Sequence, residues 1–117
     1  MSESLKDLAK TIKDDEERQG ILLVAKALVQ PLIQIASNAG YNGEFILEQV
    51  KQTQKEKGGV QWGFDARTGK IVDLYDSDII DSARAVRCAI ENSLSVARSF
   101  LTISGVVRDR IRVKAGL

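Results

Sequence analysis

Residues 21–39 read ILLVAKALVQPLIQIASNA, and this stretch is expected to decide the fold of the chain. Apart from polar side chains that recur every four residues, it is almost entirely apolar. These polar positions are Lys26, Gln30, Gln34 and Asn38. A helix that is apolar over most of its circumference must be buried by several neighbours, so we expect the other segments to pack around it. Pro31 lies inside the stretch and removes one backbone donor, which predicts a kink there.

The composition excludes several classes of function. The 117 residues include 17 basic and 16 acidic side chains, so charge indicates neither a nucleic-acid nor a membrane partner. The chain has no histidine and a single cysteine, Cys88, which excludes the usual zinc sites and histidine-based catalysis. The N-terminus lacks an apolar signal core, and polar residues interrupt the run at 21–39. We therefore expect a soluble, cytoplasmic protein.

The periodicity of apolar residues predicts a mostly α fold, a helical bundle with one small β-hairpin. The predicted helices cover residues 3–17, 20–39, 42–57 and 81–104. Alternating apolar residues around a turn at Thr68 and Gly69 predict the hairpin, over residues 60–74. Asn42 is the expected N-cap of the third helix. The tail, 106–114, alternates basic and mainly apolar residues, which is typical of a strand.

Two stretches carry a family resemblance. The first is 20–50, with PLIQIASNAG at 31–40, and the second is WGFDA at 62–66 followed by IIDSARAVR at 79–87. In this order they resemble the C-terminal part of the equatorial domain of group I chaperonins, the ring-forming, ATP-driven protein-folding machines. The resemblance implies that residues 1–117 form a single fragment of that ATPase domain.

The resemblance also implies a nucleotide site for ATP, with magnesium in the full-length parent. In the family, the segment matching 63–66 lies on the adenine and ribose side of the pocket. The segment matching 79–81 supplies an apolar wall and a carboxylate for the ribose. The implied cofactor-binding residues are Gly63, Phe64, Asp65, Ala66, Ile79 and Asp81. On spacing alone, Asp81 is instead a helix N-cap and Asp65 an ordinary turn residue.

Departures from the family pattern carry expectations of their own. Asp65 stands where the family usually has asparagine, which puts a negative charge near a polyphosphate and is expected to weaken nucleotide binding. Ser82 replaces the usual proline, and residues 75–77 add length before Asp78. These changes are expected to reshape the edge of the pocket.

Most of the family's machinery has no counterpart in this sequence. The phosphate-binding loops, the catalytic and magnesium-binding aspartates and the substrate-binding domain all precede the matching part. We therefore expect no catalytic residue, no metal site, no ATP hydrolysis by this chain alone and no cofactor that it requires. The implied partners are other chaperonin subunits in a homo-oligomer, with unfolded clients and a co-chaperonin contacting parent domains absent here.

Three alternatives stay open at this point. The chain is either a piece of a longer chaperonin or a divergent paralogue that acts as a helical self-association module without nucleotide function. The basic tail suits a weak nucleic-acid contact, although no aromatic partner accompanies its residues Arg108, Arg110, Arg112 and Lys114. Trp62 suits packing of the hairpin better than a ligand platform.

Overall fold

The computed structural model describes residues 1–103 and 105. The chain divides into two compact units, of which the first is 1–80 and the second begins at Asp81. Within these described residues, the second unit contains one helix, α5 (Ala83–Leu101). The predicted mostly α fold with a small antiparallel hairpin is confirmed. The first unit contains α1 (Ser2–Thr11), α2 (Asp15–Ala27), α3 (Gln30–Asn38), α4 (Gly43–Lys57), β1 (Trp62–Asp65) and β2 (Lys70–Asp73).

The first two helices meet at a different place from the one predicted. Helix α1 ends at Thr11, and Asp14 becomes the N-cap of α2. Its carboxylate accepts hydrogen bonds from the backbone N–H groups of Glu16, at 2.9 Å, and Glu17, at 3.0 Å. The predicted bounds 3–17 and 20–39 are therefore wrong here, because an aspartate gains more as a cap than inside a helix. The acidic residues do favour the start of the next helix, as expected from its dipole.

Pro31 interrupts the regular hydrogen bonding of the long apolar helix. Helix α2 ends at Ala27 and α3 begins at Gln30, so Pro31 lies in the first turn of a new helix. Proline is tolerated there because the first N–H groups of a helix have no partner within it. The helix is interrupted at Leu28 and Val29, whose backbones stay in the right-handed helical region, which is where the sequence predicts a kink.

The hydrophobic core lies on α4, not on the stretch 21–39. Only Ala25 of α2 and Ala36 of α3 are buried, because α1 packs on α2 and α4 packs on α3, leaving the other faces open. The expectation that residues 21–39 are nearly all core is therefore wrong. Helix α4 packs against both α3 and the hairpin, so it organises the first unit. The core cluster is Ala36, Ile46, Val50 and Phe64, flanked by Leu32, Ala66 and Ile71.

Helix α4 begins as predicted. The Asn42 side chain accepts a hydrogen bond of 3.1 Å from the Phe45 N–H group, which confirms Asn42 as its N-cap. The chain before it is held by the Tyr41 N–H group, which donates to the Ala36 carbonyl at 2.9 Å. This tight connection brings the start of α4 against α3.

The exposed apolar stretch has one further property. Among the described residues, Asp15–Asn38 is the segment long and apolar enough to cross a membrane, judged by length and composition alone. The prediction that its polar residues rule this out is therefore wrong. Core helices of soluble proteins meet the same criterion, so the finding does not by itself indicate a membrane.

Helix α5 lies within the predicted bounds 81–104. Its predicted packing against the long apolar helix concerns two separate units and stays a prediction. The predicted strand at 106–114, with its basic residues, lies outside the described residues.

Candidate functional site

The hairpin positions the first four predicted site residues. Strands β1 and β2 are antiparallel and pair Gly63 with Val72, Phe64 with Ile71, and Asp65 with Lys70. The register places the turn over residues 66–69, where the Gly69 N–H group donates to the Asp65 carbonyl at 2.8 Å. The predicted site residues therefore end β1 and enter its turn.

The end of α4 holds the hairpin at Trp62. The Lys57 ammonium lies 3.6 Å from the centroid of the Trp62 ring, and the Gln54 amide donates to the Trp62 carbonyl at 2.8 Å. Such a cation–π contact stabilises by about 0.5–1 kcal/mol at an exposed position. One face of the indole is thus occupied by the protein itself, as the packing interpretation of Trp62 expects.

Gly63 and Ile79 are brought together through Leu74. A Cβ atom on Gly63 would lie 2.6 Å from Leu74 Cδ1, so the leucine side chain covers the glycine. The backbone of Leu74 donates to the Gln61 carbonyl and accepts from the Ile79 N–H group, both at 2.9 Å. One residue therefore touches both segments of the implied site that lie in the first unit.

Phe64 faces inward. Its side chain is 7% exposed and belongs to the core cluster, and its ring meets Tyr41 edge to face with centroids 5.4 Å apart. A ring buried in this way cannot stack on a ligand. Ala66, in contrast, is half-buried and packs against the rim of the same cluster.

The Asp65 carboxylate is used within the turn. Oδ1 accepts from the Arg67 N–H group at 2.9 Å, and Oδ2 accepts from the Thr68 hydroxyl at 2.9 Å. The Arg67 N–H bond, the Thr68 hydroxyl and the Arg67 charge together hold the pKa of Asp65 below its ordinary value, against the opposing effect of burial. The side chain is ionised and buried in an ordinary turn, which matches the interpretation from spacing alone.

Ile79 and Asp81 follow the hairpin. Ile79 is half-buried and comes directly after Asp78, whose φ of 53° lies in the left-handed region. Asp81 is the first residue of the second unit. The N-cap position of α5 belongs to Ser82, whose backbone is extended, and the Ser82 side chain makes no capping hydrogen bond. The prediction of Asp81 as the N-cap is therefore wrong by one residue.

Sequence reasoning missed Thr68 and Leu74. An Asp-x-x-Thr spacing across a turn is a signal for a side-chain bond of the kind that Asp65 and Thr68 form, so Thr68 was open to prediction. No sequence signal marked Leu74, because an apolar residue at the end of a strand looks like an ordinary core residue.

Other features of the chain that could bind a ligand or a metal lie outside the predicted site residues. A cleft of about 270 Å³ between the start of α1 and the end of α4 is lined by none of the predicted site residues. Among the residues that the structure describes, no three metal-ligating side chains come together. Cys88 is exposed on α5.

Replacing Gly69 by alanine is expected to destabilise the first unit by about 1–2 kcal/mol. Gly69 has a φ of +69°, and a Cβ atom there would collide with the Tyr41 hydroxyl. Chemical unfolding of the variant measures the loss. The double variant with Tyr41→Phe removes the hydroxyl and is expected to recover only a minor part, since the backbone strain remains. Full recovery would contradict the role of the φ angle.

Comparisons with known proteins agree on one family. The sequence profile of the TCP-1/cpn60 chaperonin family matches residues 1–110. The chain is 39% identical over 109 residues to Chaperonin GroEL 1 of Prochlorococcus marinus strain MIT 9301, covering 93% of this chain and 17% of that protein. It is 36% identical over 107 residues to the chloroplastic RuBisCO large subunit-binding protein subunit alpha of Triticum aestivum, covering 92% of this chain and 19% of that protein.

A solved structure supports the same assignment. An open-state monomer of a group II chaperonin from Methanococcoides burtonii matches with a TM-score of 0.80 and 29% identity, over 87% of this chain and 25% of that chain. The chain thus spans about a fifth of the length of the curated relatives that it matches. The predicted resemblance and the fold class, a partial chaperonin equatorial domain, are confirmed, and the chain belongs to the TCP-1/cpn60 chaperonin family.

Proposed function

We propose that this chain serves an ATP-driven, protein-folding chaperonin by forming the adenine and ribose side of its nucleotide site. Family membership supports the protein-folding role. One observation supports the nucleotide-binding part of the proposal. The Leu74 side chain covers Gly63, and its carbonyl holds the Ile79 N–H group. Two segments that are separate in sequence thereby become neighbours.

The proposed contacts are mainly apolar and backbone contacts. The half-buried side chains of Ala66 and Ile79 suit the flat faces of a base, and backbone groups near them suit its polar edge. Phe64 contributes by fixing the hairpin to the core, since its ring is buried. Asp81 stays a predicted ligand of the ribose hydroxyls on the family resemblance alone.

Hydrolysis of ATP is not part of this proposal for the chain by itself. Phosphoryl transfer depends on metal ions and positive charges held around the phosphates. The proposed residues supply none of these, so magnesium and the phosphates are expected to be bound by other parts of a chaperonin. Assembly with other subunits, contact with clients and a co-chaperonin, and a cytoplasmic location belong to the same proposal.

Adenosine, ADP and ATP are expected to bind this chain weakly and with similar affinity. If only the base side is present, the phosphates and magnesium add nothing to the binding free energy. Two-dimensional NMR titration up to millimolar ligand measures this, and the amides of residues 63–66 and 79 are expected to shift alike for all three ligands. Ile79→Ala is expected to weaken binding about tenfold through the lost apolar contact.

Ile80→Ala is the matched control, because the Ile80 side chain is 65% exposed and the change removes the same atoms. It is expected to leave the affinity unchanged. Equal losses for Ile79→Ala and Ile80→Ala would contradict the proposed wall. No shift with any of the three ligands would overturn the nucleotide role.

The second candidate function is self-association without a nucleotide. Large apolar side chains lie on the surface of the first unit, among them Leu23 at 67%, Ile35 at 51% and Phe45 at 59% exposed. These exposed side chains of α2, α3 and α4 are the apolar surface that self-association would cover. Light scattering distinguishes the candidates: a stable oligomer that ignores adenosine and ATP favours self-association.

A further inference from the structure

We infer that Asp65 is a positioning residue, whose carboxylate closes the hairpin turn from inside and is not offered to a ligand. The inference rests on the proposed function only in naming what the turn serves. It replaces two expectations for Asp65, a direct contact with the nucleotide and a repulsion of its phosphates.

Each carboxylate oxygen of Asp65 already accepts a hydrogen bond within the turn. Oδ1 accepts a hydrogen bond from the Arg67 N–H group and Oδ2 accepts one from the Thr68 hydroxyl, each at 2.9 Å. The residue is 6% exposed, although it is charged and lies next to a turn. Each oxygen keeps a second lone pair, but burial to this degree leaves a ligand little access to it.

The same residue also closes the turn through its backbone. The Asp65 carbonyl accepts from the Gly69 N–H group at 2.8 Å, so residues 65–69 are held from both the main chain and the side chain. Ala66, which the proposed function places against the base, is enclosed by these bonds. The role of Asp65 is therefore to hold Ala66 in position.

The negative charge of Asp65 is balanced by groups around it. Arg67 Nε lies 3.9 Å from Oδ1, and Lys70 stands opposite Asp65 on β2. From outside the hairpin, the Tyr41 phenol lies against Gly69 in the same turn. None of these three groups is a carboxyl or an imidazole.

Two pairs of variants test the inference on the full chain. Asp65→Ala removes both bonds, whereas Asp65→Asn keeps an oxygen for the Arg67 N–H group. Thr68→Val removes the hydroxyl, whereas Thr68→Ser keeps it. We expect hydrogen exchange of the Arg67 amide to rise about tenfold or more in Asp65→Ala, and Asp65→Asn to restore most of the protection. Equal exchange in Asp65→Ala and Asp65→Asn would overturn the inference.

Thr68→Val and Thr68→Ser keep the test decisive if Asp65→Ala does not fold. Thr68→Val is expected to lower the midpoint of thermal unfolding by several degrees, and Thr68→Ser to stay near the original protein. No difference between these two variants would count against an internal role for the carboxylate.

The pH profile gives a readout specific to the charge. The pKa of Asp65 is lower in the folded chain than in the unfolded chain, where it is about 3.9. The contribution of the Asp65 charge to stability is therefore complete above the unfolded pKa and is lost as pH falls through the folded pKa. The stability advantage over Asp65→Asn is therefore expected to disappear on acidification below about pH 4. A difference that is constant with pH would oppose the inference.

Adenosine and ATP titrations separate this inference from the proposed function. With a positioning role, Asp65→Asn binds both within about twofold of the original affinity, since the charge is not presented to the phosphates. A selective gain for ATP in Asp65→Asn would show that the charge faces the ligand, and would overturn the inference. If the original chain binds neither ligand, the proposed function fails, while exchange and pH still decide the role of Asp65.

Discussion

Phe64→Ala is expected to lower the free energy of unfolding of the first unit by about 3–5 kcal/mol, the usual loss when a buried phenylalanine is truncated. Phe64 is 7% exposed and is the largest member of a core cluster of four buried residues. Its loss also removes the edge-to-face contact with Tyr41. The free energy of unfolding of a small domain is about 5–15 kcal/mol, so this single change removes a large share of it.

Urea unfolding followed by circular dichroism measures the effect. Phe45→Ala on α4 is the matched control, because it deletes the same side chain at a position that is 59% exposed. It is expected to change stability by only about 0.5 kcal/mol. Similar losses in Phe45→Ala and Phe64→Ala would mean that the core does not centre on the hairpin and α4.

Gly43→Ala is expected to destabilise the first unit by about 1–3 kcal/mol, the range of an overpacked core. A Cβ atom at Gly43 would lie 2.6 Å from the Ile33 carbonyl oxygen and 2.7 Å from Ile33 Cγ2. Backbone cannot move aside as a side chain can, so α3 and α4 would have to separate. Their packing carries Ala36 and Ile46, two residues of the core.

Gly20→Ala makes the same chemical change in an open position. Gly20 lies inside α2, and nothing stands within 4 Å of where its Cβ atom would be. Alanine is favoured over glycine in a helix by about 0.5–1 kcal/mol, so this variant is expected to be more stable than the original protein. Thermal unfolding of the two variants is expected to shift in opposite directions. A stabilising Gly43→Ala would show that α3 and α4 do not approach closely.

The fold class was predictable from the sequence, because periodicity and caps are local signals. Asn42 caps α4 as predicted, and the hairpin forms around Gly69. The boundary at Asp14 was missed because four acidic residues in a row left the capping residue ambiguous. The burial of residues 21–39 was also mispredicted. Apolar composition shows that burial would be favourable, but it does not show how many neighbouring elements cover the helix.

The candidate site was predictable only in part. Family resemblance pointed to residues 63–66, Ile79 and Asp81. In the structure, Gly63 and Ile79 both contact Leu74. Resemblance did not reveal which of these side chains face inward. The ring of Phe64 and the carboxylate of Asp65 are both used by the protein itself.

The sequence by itself determined local features of this protein: where α4 starts, where Pro31 interrupts the long apolar stretch and where the chain turns at Gly69. These features depend on bonds between residues a few positions apart. Only the tertiary structure decided that α4 carries the core and that Leu74 joins Gly63 to Ile79. Such contacts depend on which elements pack together, and the pattern of one segment contains no information about its distant neighbours.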